Sequence, residues 1–179
     1  MLLKTKHFGE IDYDVNSVIT FEEGLPGFRS ATEFILLADD PGDLFHWLQS
    51  IDNEDLAFVL MDVKQVLADY DPIIEPGAIA SLTEGKSLED DQFPEGSMDS
   101  PFNFNGPSFV TGKSSPSLRL FNIAVVPDDL TQMRVNLKAP IIINERARKG
   151  KQVIASNEEY GVRHYIFEEM SPASGVIGC

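Results

Sequence analysis

Apolar and polar positions alternate, or run together briefly, along most of this chain. From Glu10 to Val15, Ile11, Tyr13 and Val15 share one face and Glu10, Asp12 and Asp14 the other. That two-residue period predicts a half-buried strand, entered at Gly9 from the segment Leu2 to Phe8. Met133, Val135 and Leu137 alternate in the same way with Arg134, Asn136 and Lys138. Continuous apolar runs predict strands buried on both faces: Phe34 to Leu37, Leu44 to Ile51 around Trp47, Leu56 to Met61, Leu118 to Val126, and Ala139 to Asn144. Shorter strands are predicted over Val18 to Phe21, Gln152 to Ala155 and Arg163 to Phe167. Turn residues punctuate them at Asp39 to Asp43, Asp52 to Asp55 and Pro127 to Asp129, with a basic turn at Glu145 to Lys151. The four residues Asp52-Asn53-Glu54-Asp55 between two apolar runs predict a hairpin.

Helix is scarce. Arg29 to Glu33 is read as one helical turn and Ala78 to Leu82 as a short helix. Val63 to Tyr70 fits either strand or helix, and Pro72 and Pro76 argue against a regular strand between them. The prediction is a mainly β chain: an antiparallel barrel-like fold of about ten short strands with little helix. No internal repeat is present.

The tightest corner is Gly24-Leu25-Pro26-Gly27, which follows the apolar run and carboxylates of Phe21-Glu22-Glu23 and leads into Phe28. Gly24 and Gly27 can take positive φ, and Pro26 fixes its own. One reading is architectural, a turn holding a strand end against the core with Phe21 and Phe28 as plugs. The other is that the same turn presents Glu22 and Glu23 to a partner. The two are compatible.

Length and composition set limits on this picture. The chain has 179 residues, 42% hydrophobic and 24% charged. That suits one domain with its own core, expected over residues 1–170. From about Ser81 to Pro116 the character becomes polar and turn-rich, punctuated by Phe102, Phe104 and Phe109, and predicts a long surface excursion. Residues 171–179 read as a disordered tail. No run approaches a membrane span, and the first seven residues are too short and polar for a signal peptide. A cytoplasmic location is the simplest expectation. The single cysteine, Cys179, leaves no internal disulfide to form.

Net charge is −15 and unevenly placed. Residues 39–99 hold 16 acidic side chains against two basic ones, a balance of −14. Such a surface repels nucleic acid and anionic membrane and attracts basic partners, or serves solubility alone. The basic cluster Arg146, Arg148, Lys149 and Lys151 lacks interleaved aromatics. It reads as a solvated turn or as an internal salt-bridge partner for the acidic half, not as a nucleic-acid site.

Catalytic and metal signatures are missing from the sequence. His7, His46 and His164 have no ligand spacing, so no metal or cofactor is expected. His46 reads as a satisfied core or edge residue and His164 as exposed. No nucleophile elbow, P-loop or dinucleotide fingerprint occurs. The acidic pairs sit in turns rather than across a pocket.

Three blocks carry a family resemblance. The first is Phe8-Gly9-Glu10, then Ile19-Thr20-Phe21 with Gly24-Leu25-Pro26-Gly27-Phe28. Trp47-Leu48-Gln49-Ser50 with Asp55-Leu56-Ala57-Phe58-Val59 is the second. The third runs Asn136 to Asn144, then Arg148 to Ile154, and Arg163-His164 closes the series. In this order the chain resembles the flagellar assembly factor FliW family, over most of residues 1–80 and 118–167. The excursion at 81–116 looks longer than the family's connection, and the tail after Phe167 looks unmatched. The resemblance implies a cytoplasmic, non-enzymatic barrel protein that binds two partners in turn. One is flagellin. The other is CsrA, a small basic RNA-binding dimer that represses translation and is held by the free factor. Other readings are a dedicated flagellin chaperone, or a small β-barrel enzyme acting on a small ligand.

The candidate contact residues are Glu22, Glu23 and Phe28 in the corner, Asp52, Glu54 and Asp55 in the hairpin turn, and Asn136, Lys138 and Asn144 in the third block. Turn acids and strand asparagines also commonly serve only the backbone. A monomer is expected, with no direct contact to nucleic acid or membrane.

Overall fold

The computed structural model describes residues 1–38, 40, 42–83 and 118–167. Eleven strands and one α-helix are found among them. The predicted excursion lies outside the described residues apart from its first three, and the predicted tail lies wholly outside them.

A two-stranded hairpin, β1 (Leu2–Thr5) and β2 (Gly9–Asp12), stands apart from the main sheet. The main sheet is built from β3 (Ile19–Thr20), β4 (Glu33–Leu37), β5 (Phe45–Ser50), β6 (Ala57–Met61), β7 (Leu118–Val125), β8 (Arg134–Val135), β9 (Ile141–Asn144), β10 (Lys149–Gln152) and β11 (His164–Tyr165). Neighbours run β11-β8-β7-β6-β5-β4-β3-β10-β9, and β9 also pairs with β7. Seven strands, β3 to β7 with β9 and β10, therefore close into a barrel. The eight residues of β7 make closure possible. Its first half, Leu118 to Phe121, pairs with β9; its second half carries β6 on one edge and β8 on the other. All pairings are antiparallel except β10 beside β3, joined at Lys149 and Thr20. The expected hairpin is present, with Trp47 opposite Val59 and Leu48 opposite Phe58.

Side chains two apart share a face, and the core follows that rule. Phe34 and Leu36, Leu48, Phe58 and Leu60, Phe121 and Ile123, and Ile141 and Ile143 form one cluster with Ile19, Phe21 and Leu25. This is the barrel interior. Ile142 points the other way, onto α1 (Pro76–Thr83), where Ile79 and Leu82 join Val153 and Ala155. A third cluster packs Val63 and Tyr70 against the outer face of β7 and the β8 region, through Leu120, Ala124, Met133, Val135 and Leu137. The Tyr70 hydroxyl donates to the Leu137 carbonyl (2.8 Å) and accepts from Asn122 Nδ2 (2.8 Å). Burial pushes that phenol well above the usual range, so it stays protonated.

Several expectations are corrected. The strand predicted over Glu10 to Val15 stops at Asp12. Asp14 accepts from the Asn16 N–H and caps a 3-10 turn at Val15–Ser17, which leaves Val15 exposed. Arg29 to Glu33 is no helix: the Thr32 carbonyl accepts from the Phe21 N–H, and Glu33 already pairs with Thr20 in β4. The ambiguous Val63 to Tyr70 segment opens with a 3-10 turn, Val63–Gln65. Alternation of burial over Met133 to Lys138 is as predicted, but only Arg134 and Val135 form a ladder. The basic turn ends before Lys149, whose strand takes Lys149 to Gln152 rather than Gln152 to Ala155.

Candidate partner-binding surface

The corner after β3 folds as its residues dictate. Gly24 and Gly27 have φ of 63° and 87°. A Cβ at Gly24 would also lie 2.7 Å from the Arg29 backbone, so both conformation and space demand glycine there. Phe21 is fully buried, packed edge-to-face on Phe34 at 5.3 Å. Phe28 is not the second plug: it is 44% exposed and leans edge-to-face on Phe58, because the Leu25–Phe28 bridge holds it at the rim.

Glu22 and Glu23 meet β10. Lys149 Nζ lies 2.9 Å from Glu22 Oε1, and Lys151 Nζ donates to Glu23 Oε1 at 2.8 Å. That hydrogen bond, with the charge behind it, holds the Glu23 carboxyl below the usual range. The reason is strand periodicity. Lys149 and Lys151 share one face of β10, while Gly150 between them faces inward, where a Cβ would sit 2.3 Å from the Phe21 ring. Lys149 Nζ also donates to the Ser81 carbonyl (3.3 Å), and Asn144 Nδ2 donates to the Leu82 carbonyl (2.9 Å). Together they anchor the last turn of α1. Two of the four basic-cluster residues are thus internal ion-pair partners, though of the opening corner rather than of residues 39–99.

The β5–β6 turn is different. Asp52, Glu54 and Asp55 are exposed. Beneath them the fully buried Gln49 side chain donates to the carbonyls of Ser50, Asn53 and Leu56, which fixes the turn's path. The β1–β2 hairpin docks here. The Lys6 N–H donates to the Glu54 carbonyl (3.0 Å), and Lys6 Nζ lies 3.5 Å from Asp55. Beside it, Phe8 meets Trp47 edge-to-face at 5.2 Å and His7 lies 5.1 Å from the same ring. The second block singled out Trp47, but sequence alone did not bring it to Phe8, His7 and Lys6; only the closed hairpin does.

In the third block, side-chain polar atoms tie down backbone. Asn136 Oδ1 accepts from the Ala139 N–H, Lys138 Nζ donates to the Asn157 carbonyl at 2.6 Å, and Asn144 Oδ1 accepts from the Ala147 N–H. Asn144 stands opposite Lys149, the residue that meets Glu22, and so lies by the opening corner, whereas Asn136 and Lys138 tie down the segment around Ala139 and Asn157.

His46 is fully buried, with Nε2 3.2 Å from Arg119, whose Nη1 pairs with Glu145 at 3.2 Å. Arginine can only donate, so Nε2 is the acceptor and the ring is neutral. Burial first, and then the arginine charge, hold its pKa below the ordinary histidine value; Asp43 and Asp62 pull the other way. His46 is therefore a core residue, as expected, with Nε2 partnered by Arg119 and the other side of the ring interacting with the Asp43 backbone. His164 is half-buried rather than exposed. Among the described residues no group of three or more histidine, cysteine, aspartate or glutamate side chains is arranged to hold a metal ion, and no helix is long and apolar enough to cross a membrane.

The molecule is a β-barrel filled by side chains, with its acidic turns and the Phe8–Trp47 contact on the outside. The FliW protein family matches residues 2–91 and 109–166, and the chain belongs to that family. It is 37% identical, over 97% of both chains, to the flagellar assembly factor FliW of Thermoanaerobacter pseudethanolicus. Its identity to the protein of the same name from Caldanaerobacter subterraneus is 36%, again over 97% of each. Among solved structures it is similar to a crystal structure of the flagellar assembly factor FliW. That likeness has a TM-score of 0.69 and 27% identity, and covers 95% of this chain and 99% of the other. The family model leaves out residues 92–108, inside the excursion, and ends at residue 166, before the tail, whereas the alignments to these relatives run over nearly the whole chain.

Proposed function

We propose that this chain is a cytoplasmic flagellar assembly factor that acts by binding, without catalysis. It holds flagellin and, alternately, CsrA, and by holding CsrA it relieves repression of flagellin translation. The observation that carries this reading is the family match on both sides of the excursion, with relatives named for flagellar assembly over nearly the whole chain. The charge distribution supports the CsrA half. A chain of net charge −15 with exposed carboxylates at the β5–β6 turn draws in a basic dimer and repels the RNA that the dimer binds. Association with CsrA should therefore slow steeply as salt rises.

The test is a pull-down with flagellin and CsrA of the same organism, followed by competition between them. Mutually exclusive capture of both is expected. Capture of flagellin alone would make the chain a dedicated chaperone, and capture of neither would remove the proposal.

A further inference from the structure

Trp47 stands on the outer side of β5. Its neighbours Leu48 and His46 face inward, while Trp47 is half-buried beside Leu37 and Val59. The loop of the β1–β2 hairpin brings His7 and the 40%-exposed Phe8 against it. The same loop places Lys6 against the Asp55 carboxylate and the Glu54 backbone carbonyl of the β5–β6 turn. Aromatic ring faces attract cations, and carboxylates next to them add charge and hydrogen-bond acceptors. We infer that this surface, Trp47, Phe8 and His7 bordered by Asp52, Glu54 and Asp55, docks a basic segment of a protein partner through its lysine or arginine side chains.

Lys6, next in sequence to His7, pairs with Asp55. The pair is 3.5 Å long and its side chains are 61% and 69% exposed. Such a pair is weak and readily exchanged for an incoming cation. The surroundings favour that exchange: Asp52 and Glu54 stand exposed beside it, within the segment that carries almost all the chain's excess negative charge. At the opening corner the comparable acids are already matched by Lys149 and Lys151. Docking at the hairpin turn does not require breaking the barrel, since the β1–β2 hairpin is a separate sheet.

This inference rests on the proposed function for the identity of the basic partner, CsrA. The experiment uses the full chain, whose only tryptophan is Trp47. Purified CsrA is titrated into it while Trp47 emission is followed, and affinity is measured by calorimetry for the wild type, for D52K/E54K/D55K and for Phe8→Ser. The expected result is a shift of Trp47 emission that saturates with binding. CsrA affinity should fall roughly tenfold or more in the charge-reversed chain and severalfold in Phe8→Ser, each with a wild-type-like unfolding transition. If CsrA binds the wild type while Trp47 emission stays still and both variants bind equally well, the inference is overturned and the proposed function stands. Emission that moves with flagellin but not with bound CsrA also overturns it. A wild-type chain that does not bind CsrA at all removes both.

Discussion

Glu22 and Glu23 leave β3 as solvent-facing carboxylates, and so do Glu54 and Asp55 at the tip of the β5–β6 hairpin. The first two meet Lys149 and Lys151 of β10; at the second turn the ion pair among the described residues is the long one between Asp55 and Lys6. Topology makes the difference. β10 lies parallel to β3 with Lys149 level with Thr20, so its outward lysines fall beside the corner. The β5–β6 turn projects from a hairpin whose backbone is satisfied from within by Gln49, and a separate β-hairpin supplies the lysine that pairs with Asp55. Identical residue types therefore finish the architecture in one place and leave charge available in the other.

The strongest way to break the first region is at Gly150. Gly150→Ala drives a Cβ into the buried Phe21 ring, and we expect a loss of about 3 kcal/mol in urea unfolding, or failure to fold. Gly77→Ala is the contrast. A Cβ there meets nothing within 4 Å, and the position lies in α1, so the change should be neutral or stabilising by up to ~1 kcal/mol. Equal losses in both variants would contradict the close packing of corner and strand.

Tyr70→Phe comes next. It deletes a hydroxyl that both donates and accepts in the core, leaving the Leu137 carbonyl and one Asn122 N–H short of a partner, at an expected cost of roughly 1–3 kcal/mol.

The effect of pH is smaller and its sign is fixed. His46 has a lowered pKa in the folded chain, so the unfolded chain takes up a proton first as pH falls. Stability should be independent of this group above the ordinary histidine range and decline as pH drops through that range toward the folded value. Unfolding midpoints measured for the wild type and His46→Gln between pH 7.5 and about 5.5 should show the steeper decline in the wild type. A steeper decline in the variant would reverse the assignment of a neutral ring.

How far the sequence could carry the fold follows from the same regions. The continuous apolar runs and the alternating pairs announce most of the barrel strands because burial on one or both faces writes a period into them. β10 writes none. Its inward residue must be glycine to clear Phe21, and its outward residues are lysines matched to glutamates, so Lys149 to Lys151 reads as the end of a basic turn. Val15 fits a strand pattern, but the Asp14 cap ends that strand early. For the candidate surface, the acidic turns were legible from composition. The cations that neutralise one of them lie over a hundred residues away in the chain, and no local pattern signals them. Asn136, Lys138 and Asn144 drew notice as polar residues in an ordered block. Their side chains hold the backbone of the neighbouring loops and of α1, and that role emerges only from the packed structure.

The most direct test of the contrast is the affinity for CsrA of two charge-reversed chains, E22K/E23K and D52K/E54K/D55K, measured side by side by calorimetry at physiological salt, each after confirming a wild-type-like unfolding transition. The account predicts a loss of roughly tenfold or more for the hairpin-turn variant and a change within about threefold for the corner variant. The reverse order, with the corner carrying the larger loss, would contradict it.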